Sequence, residues 1–328
     1  MACNSPSRLH LSKTDMQIFR SLDELAANAK RSVVSVGNFD GVHLGHQMVL
    51  KSMVDRAGEL GAQSAVVTFD PHPSHVLHSS RRTPLITPLS QKLDLLAATG
   101  IDLTLVLHFN EELRRWSAHE FCHRVLCDAL RTVEVHEGET FRFGYGAAAD
   151  LASLADLGRD CGFTVRAYEP HVIDGAAVSS SRIRALIAAG DITDANALLG
   201  RSFSVRSTPA HGRGYGTRYT VPTINLAAYS ELLPAIGVYV TKLSVGDPSN
   251  ARVFQGVTNV GNRPTFGADS FAVETHLLDF EPIALDESTP LELSFLHRLR
   301  DERRFASPEE LREQIQRDVA EAKRIFAS

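Results

Sequence analysis

The chain is poor in the features that would place it in most specialised classes. It has 4 cysteines in 328 residues, at positions 3, 122, 127 and 161, and no two form a C-x-x-C pair. That scarcity excludes a dense disulfide framework and leads to the expectation of reduced thiols in a cytoplasm. No apolar run approaches the length of a membrane-spanning helix. Met1–Lys13 is polar and lacks the hydrophobic segment of a secretory signal, so residues 1–13 are expected to be a flexible tail. An excess of one charge is missing too. The net charge is -5, and acidic and basic residues are interspersed, which argues against a general nucleic-acid binder. Small molecules remain as the expected partners, and nothing in the pattern specifies an oligomeric state. At 328 residues the chain exceeds the usual size of a single core, so two domains are expected.

What is present begins with Gly37–Gln47, GNFDGVHLGHQ. The preceding Ser32–Val36 is short, apolar and β-branched and reads as a buried strand. Val49, Leu50, Met53, Val54, Ala57 and Leu60 then recur at helical spacing, which predicts a helix from His46 onward. A loop that ends at a helix N-terminus offers unpaired N–H groups and the positive pole of the helix to an anion. Gly37, Gly41 and Gly45 allow close approach of the backbone, and Gly37, Asn38, Phe39 and Gly45 are the positions expected to face a nucleotide. His43 and His46 would donate hydrogen bonds to phosphate oxygens as charge shifts during attack at phosphorus. Two plainer readings are a solvated loop with incidental histidines and a zinc site built from Asp40, His43 and His46.

The first half alternates strands and helices: after the opening pair come a strand at 64–69, a helix at 90–99, a strand at 103–107 and a helix near 118–130. Such alternation predicts a parallel sheet with crossover helices. TFDPHP, Thr68–Pro73, begins at a strand's carboxyl end, where ligands of such sheets bind. Asp70 and His72 have the chemistry to contact ribose, phosphate or metal, and His72 equally suits a structural turn. Ser179–Arg184, SSSRIR, opens another helix that Gly190 ends. Any of its serines can cap it, with Ser179 best spaced to Arg182. Hydroxyls, amides and a guanidinium at one helix start suit a polyphosphate, and an ordinary capped helix is the alternative.

Beyond Gly190 a helix at 194–199 leads into short strands separated by Gly, Pro and Asn turns, at 238–243, 252–258 and 271–278, which fit a barrel or meander. Ser307-Pro308-Glu309-Glu310 starts a final helix whose stripe, Leu311, Ile315, Val319 and Ala322, is expected to pack on that barrel. His211–Leu226 carries Gly212, Gly214 and Gly216 in a loop suited to phosphates, followed by Pro-Thr-Ile-Asn; a turn capped by Thr223 and Asn225 is the alternative.

With GNFDGVHLGHQ, TFDPHP, FRFG at Phe141–Gly144, SSSRIR and the set from Gly212 in this order, the chain resembles the bacterial bifunctional riboflavin kinase/FAD synthetase family from about Thr14 onward. The resemblance implies a Rossmann-like α/β FMN adenylyltransferase domain at 14–190 and a β-barrel riboflavin kinase domain with a C-terminal helix at 191–328. Riboflavin and ATP would give FMN and ADP, and FMN and ATP would give FAD and pyrophosphate. It further implies that Ser180, Ser181 and Arg182 hold ATP phosphates opposite His43 and His46. Thr223 and Asn225 would hold Mg²⁺, with Gly212 and Gly216 at the nucleotide and Glu274 as the base that deprotonates the ribityl hydroxyl. Asp70, His72, Thr140, Phe141 and Arg263 are the expected flavin contacts. Thr140 departs from the family's Asp or Asn, and His136 and Glu137 stand where apolar residues are common. A kinase with a decayed or altered adenylyltransferase half, or a non-catalytic flavin sensor, are the alternatives.

Overall fold

The computed structural model describes residues 16–28, 30–77, 82–210, 223–262, 271–279 and 285–327. The expected tail at 1–13, the loop with Gly212 and Gly216, and Arg263 lie outside the described residues. The chain divides into two compact units, Met1–Thr83 with Thr87–Ala177, and Pro84–Ile86 with Val178–Ser328.

The first unit runs β1 (Gln17–Phe19), α1 (Leu22–Ala26), β2 (Ser32–Val36), α2 (Leu44–Leu60), β3 (Gln63–Asp70), α3 (Pro73–Leu77), α4 (Leu89–Ala97) and β4 (Leu103–His108). It continues with α5 (Glu111–Arg114), α6 (Ala118–Phe121), β5 (Thr132–Gly138), α7 (Leu151–Cys161) and β6 (Thr164–Tyr168), and ends in a hairpin of β7 (Val172–Ile173) and β8 (Ala176–Ala177). Strands β1 to β6 form one parallel sheet in the order β1-β4-β3-β2-β5-β6. Apolar side chains leave β2 on both faces: Val34 and Val36 pack with Leu105, Val125, Leu126 and Leu154, and Val33 with Leu50, Met53 and Leu96. Burial on both faces is why β2 reads as an unbroken apolar run. The chain lays down β3 and β4 on one side of β2 and then returns to place β5 and β6 on the other. Strand order therefore reverses between β2 and β5, where the loops beyond the carboxyl ends part to leave a ligand crevice.

The structure departs from expectation at four places. Helix α2 begins two residues before His46, because His43 itself caps it: its Nδ1 accepts from the His46 N–H at 3.4 Å. The helix expected near 118–130 is α-helical only to Phe121 and π-helical over Cys122–Ala129. The cysteines are not all reduced thiols, since Cys127 and Cys161, 34 residues apart in sequence, are joined by a disulfide. Strand β5 escaped the hydrophobic pattern because it buries polar groups. His136, fully buried, sits between Glu134 Oε1 at 2.9 Å and the Tyr168 hydroxyl at 2.8 Å. Tyr168 continues to Ser52 on α2 at 2.7 Å, and Arg56 of α2 donates to Glu134 at 3.0 Å. Glu137 accepts from the Val36 N–H across the reversal point, and burial pushes its carboxyl well above the usual carboxylate range. Glu134, His136 and Glu137 thus each have a partner on a neighbouring strand or helix, whereas the buried Thr132 hydroxyl has none among the described residues.

The second unit comprises α8 (Ser180–Ala189), α9 (Ile192–Leu199), β9 (Phe203–Ser207), β10 (Thr223–Asn225), β11 (Gly237–Val245), β12 (Arg252–Asn262), β13 (Phe271–Leu277), β14 (Leu291–Arg300) and α10 (Pro308–Ala327). Its strands are antiparallel in the order β10-β13-β12-β11-β14-β9. The two edges meet: the Ala210 N–H donates to the Asn225 carbonyl and the Ala227 N–H to the Thr208 carbonyl, both at 2.8 Å. The sheet is thereby curled into the expected barrel. Thr241, Thr258 and Thr275 form a buried hydroxyl chain across β11, β12 and β13, with spacings of 2.7 and 2.9 Å. Helix α10 packs on Val238, Val240 and Val257 through Val319, Ala322, Ile325 and Phe326. The anticipated stripe is only half used, because Leu311 at its start is 42% exposed. Asp318 of α10, also buried, accepts from both Nε and Nη2 of Arg300.

Candidate active sites

The loop after β2 bends through unfavourable backbone. Phe39 and Val42 have φ of 49° and 37°, and Gly41 has 83°. A β-branched residue such as Val42 is strained there, and strain of this kind is concentrated at ligand sites. The result is a compact turn that delivers both histidine rings to the start of α2. They stack with centroids 3.6 Å apart, and a Cβ on Gly45 would stand 3.3 Å from His43 Nδ1, so glycine leaves room for that ring. Because His43 Nδ1 accepts a hydrogen bond, its proton sits on Nε2, which is left as a donor. Burial, then the charges of His43 and Lys92, hold the His46 imidazole well below its usual range, so it is neutral near pH 7. Its Nδ1 is buried and has no hydrogen-bond partner among the described residues. A buried polar atom left unpaired costs about 1–3 kcal/mol, a cost that a bound ligand would remove.

Asp40 does not join the histidines as a metal ligand would. Its Oδ1 accepts from the Thr87 N–H at 3.0 Å, while Thr87 Oγ1 accepts from the Gly41 N–H at 3.0 Å. Sequence reasoning missed Lys92, which is buried and donates to the Asn38 carbonyl at 3.1 Å and to Thr68 Oγ1 at 3.0 Å. It ties the loop after β2 to the end of β3. Burial pulls its ammonium down to about 8, against the opposing pull of Asp40 and Asp70. A lysine inside the apolar stripe of α4, between Leu89 and Leu96, was the signal available in the sequence.

The other expected residues of the first unit lie on neighbouring strand ends. Asp70 ends β3 and precedes Pro71 through a cis peptide. His72 Nδ1 accepts from the Ser74 N–H at 3.2 Å and holds the start of α3. Exposed Thr140 and half-buried Phe141 follow β5, and Phe141 stacks on Phe143 at 5.4 Å. Gly144 has φ of 74°, and a Cβ there would come within 2.8 Å of the Ala118 backbone nitrogen, so the turn after FRF accepts only glycine. The loops after β2, β3 and β5 therefore share the carboxyl edge of the parallel sheet.

In the second unit Ser179 caps α8, accepting from the Arg182 N–H at 3.2 Å, which leaves Ser180, Ser181 and Arg182 on the first turn. On the barrel, Thr223 pairs with His276 and Asn225 with Glu274 in the β10–β13 register, and Glu274 faces Asn259 on β12. Directly paired residues present their side chains on one face. Asn225 and Glu274 are thus brought together, with Thr223 two positions along. Asn225 Oδ1 is buried with no hydrogen-bond partner among the described residues, whereas Glu274 is exposed. An unpaired amide oxygen beside a carboxylate and a hydroxyl is an all-oxygen donor set, which suits a hard cation.

An α/β nucleotide-binding sheet and an antiparallel barrel with an oxygen-rich face define a two-domain enzyme class. The FAD synthetase family profile matches residues 25–182, and the riboflavin kinase profile matches residues 199–326. A bifunctional riboflavin kinase/FMN adenylyltransferase of Pseudomonas fluorescens is 38% identical, over 95% of this chain and 98% of its own. Its namesakes from Bacillus subtilis, 34% identical over 91% and 93%, and Haemophilus influenzae, 30% identical over 95% and 100%, are similar throughout. A crystal structure described as a macrolide-efflux protein from Streptococcus pneumoniae shares the fold, with a TM-score of 0.82 at 24% identity over 94% of this chain and 98% of that one. The chain belongs to the bifunctional riboflavin kinase/FMN adenylyltransferase family.

Proposed function

We propose that residues 191–328 convert riboflavin and ATP to FMN and ADP, and that residues 14–190 convert FMN and ATP to FAD and pyrophosphate. The observation that carries this reading is a buried, unpartnered polar atom at the expected phosphate position of each unit: His46 Nδ1 in the first and Asn225 Oδ1 in the second. In the adenylyl transfer an FMN phosphate oxygen attacks the α-phosphorus of ATP and pyrophosphate leaves. His43 and His46 donate to the oxygens that gain charge, the α2 N-terminus adds its amides, and Gly37, Asn38, Phe39 and Gly45 present backbone to the nucleotide. A neutral His46 suits a donor that must not clamp the ground state. Ser180, Ser181 and Arg182 hold the polyphosphate, while Asp70, His72, Thr140 and Phe141 border the flavin.

In the kinase reaction Glu274 accepts the proton of the ribityl hydroxyl as that oxygen attacks the γ-phosphate. Thr223 and Asn225 hold Mg²⁺, which when bound neutralises charge on the nucleotide phosphates. By family resemblance Gly212 and Gly216 are assigned to those phosphates and Arg263 to the flavin, all three lying outside the described residues. Among the described residues no helix is long and apolar enough to cross a membrane. We place the enzyme in the cytoplasm, acting on small molecules rather than nucleic acid. The test is chromatographic separation of flavins after incubation with Mg-ATP. Riboflavin should yield FMN and then FAD. Supplied FMN that gives no FAD would leave only the kinase.

A further inference from the structure

Three of the four cysteines meet where α6 passes into its π-helical stretch. Cys122 and Cys127 are five residues apart, a spacing that an α-helix would rotate by about 140° onto different sides. The wider turn of the π-helix brings them to one side, and π-helical turns are frequent at functional sites. Cys161, the last residue of α7, closes against them, so that the three sulfurs lie within 4.8 Å of one another. Cys122 Sγ is 3.9 Å from Cys161 Sγ, and His123 Nδ1 is 3.9 Å from the same sulfur. The His119 ring lies over that of His123 at 4.2 Å and steadies it.

A disulfide between Cys127 and Cys161 makes no use of Cys122 or His123, yet each stands 3.9 Å from the Cys161 sulfur. Zn–S bonds of about 2.3 Å at tetrahedral angles put two sulfurs about 3.8 Å apart, and a sulfur and an imidazole nitrogen about 3.6 Å apart. Cys122 is fully buried in the core cluster with Phe121, Val125, Leu126, Leu154 and Phe163, and the half-buried Cys127 and Cys161 pack against that cluster. We infer that the reduced chain binds one Zn²⁺ through Cys122, Cys127, Cys161 and His123, in a closed structural site that pins the π-helical stretch to the end of α7. A dithiol reductant breaks the Cys127–Cys161 bond, gives two thiols and becomes a disulfide itself. Zn²⁺ then replaces three thiol protons, leaving a site of net charge -1.

The test uses the full chain, reduced with a dithiol, exposed to Zn²⁺ or Co²⁺ and desalted. Elemental analysis should find one metal per chain, and Co²⁺ should show thiolate charge-transfer absorption with the intense visible bands of tetrahedral coordination. His123→Ala alters a half-buried side chain and should weaken binding at least tenfold while circular dichroism stays unchanged. Cys122→Ser should abolish stoichiometric uptake. Alkylation after denaturation should label four thiols in the zinc-loaded chain, against two in the metal-free oxidised one. A reduced, folded wild type that takes up no metal would overturn the site, as would uptake equal to that of Cys122→Ser.

Discussion

The two units expose an unsatisfied polar atom by opposite means. In the parallel sheet β1 to β5 each end by launching a loop toward a helix, so three loops and a helix N-terminus converge at one edge, and His46 stands where they meet. In the barrel the functional pair comes from the flanks of strands: Asn225 and Glu274 face each other because the β10–β13 register pairs them. The first arrangement concentrates N–H donors and suits charge that develops on a nucleotide. The second aligns oxygens and suits a cation and a proton acceptor. A parallel sheet builds sites at its ends, and an antiparallel barrel builds them along its ladder.

The largest effect expected from breaking one arrangement is at Glu274. Glu274→Gln keeps the shape and removes the base, and FMN formation should fall by about 10²- to 10⁴-fold while supplied FMN is still converted to FAD. Wild-type phosphorylation of riboflavin by this variant would remove Glu274 from the mechanism. His46→Ala is the mirror experiment, lowering FAD formation from FMN by about 10²- to 10³-fold with riboflavin kinase rates preserved. Equal loss of both activities in a folded variant would mean that the two units do not act separately.

Lys92 sharpens the comparison through stability. Its folded-state value of about 8 lies below the ordinary lysine value of 10.5, so between those pH values the unfolded chain carries more protons and unfolding free energy rises with pH. The shift corresponds to about 3 kcal/mol across that window. Denaturant titrations of wild type and Lys92→Met from pH 8 to 10.5 should differ by this slope in the transition of the first unit alone. A slope of the same size in Lys92→Met would assign it to other groups. The smallest effect is at Thr140. Thr140→Asn should lower the FMN Michaelis constant by about two- to thirteen-fold, the range spanned by one hydrogen bond of 0.5 to 1.5 kcal/mol, with turnover little changed. An unchanged constant would place residue 140 away from the flavin.

What was legible in the sequence follows the same division. Strands with apolar runs, such as β2 and β3, and helices with clear caps, such as α8 ended by Gly190, stand out because local pattern and tertiary role agree. Strand β5 does not, since Glu134, His136 and Glu137 look solvent-facing until Arg56, Tyr168 and Val36 are known to meet them. Lys92 and the cysteine cluster were hidden for the same reason: their partners are distant in sequence. The pairing of Asn225 with Glu274 is a matter of register, which motif order alone does not carry.

The two short bonds that join the barrel's edges, Ala210 to Asn225 and Ala227 to Thr208, are made by main-chain atoms, and the Ser207 hydroxyl adds a longer one to the Ala227 carbonyl at 3.3 Å. This gives the barrel a measure of mutational robustness, since replacing the Asn225 side chain leaves the closure intact. An Asn225→Ala protein is therefore a clean instrument: lost Mg-ATP affinity in it reports on the amide oxygen rather than on an opened barrel. Proline is the exception, because at position 210 or 227 it removes the N–H that makes the join.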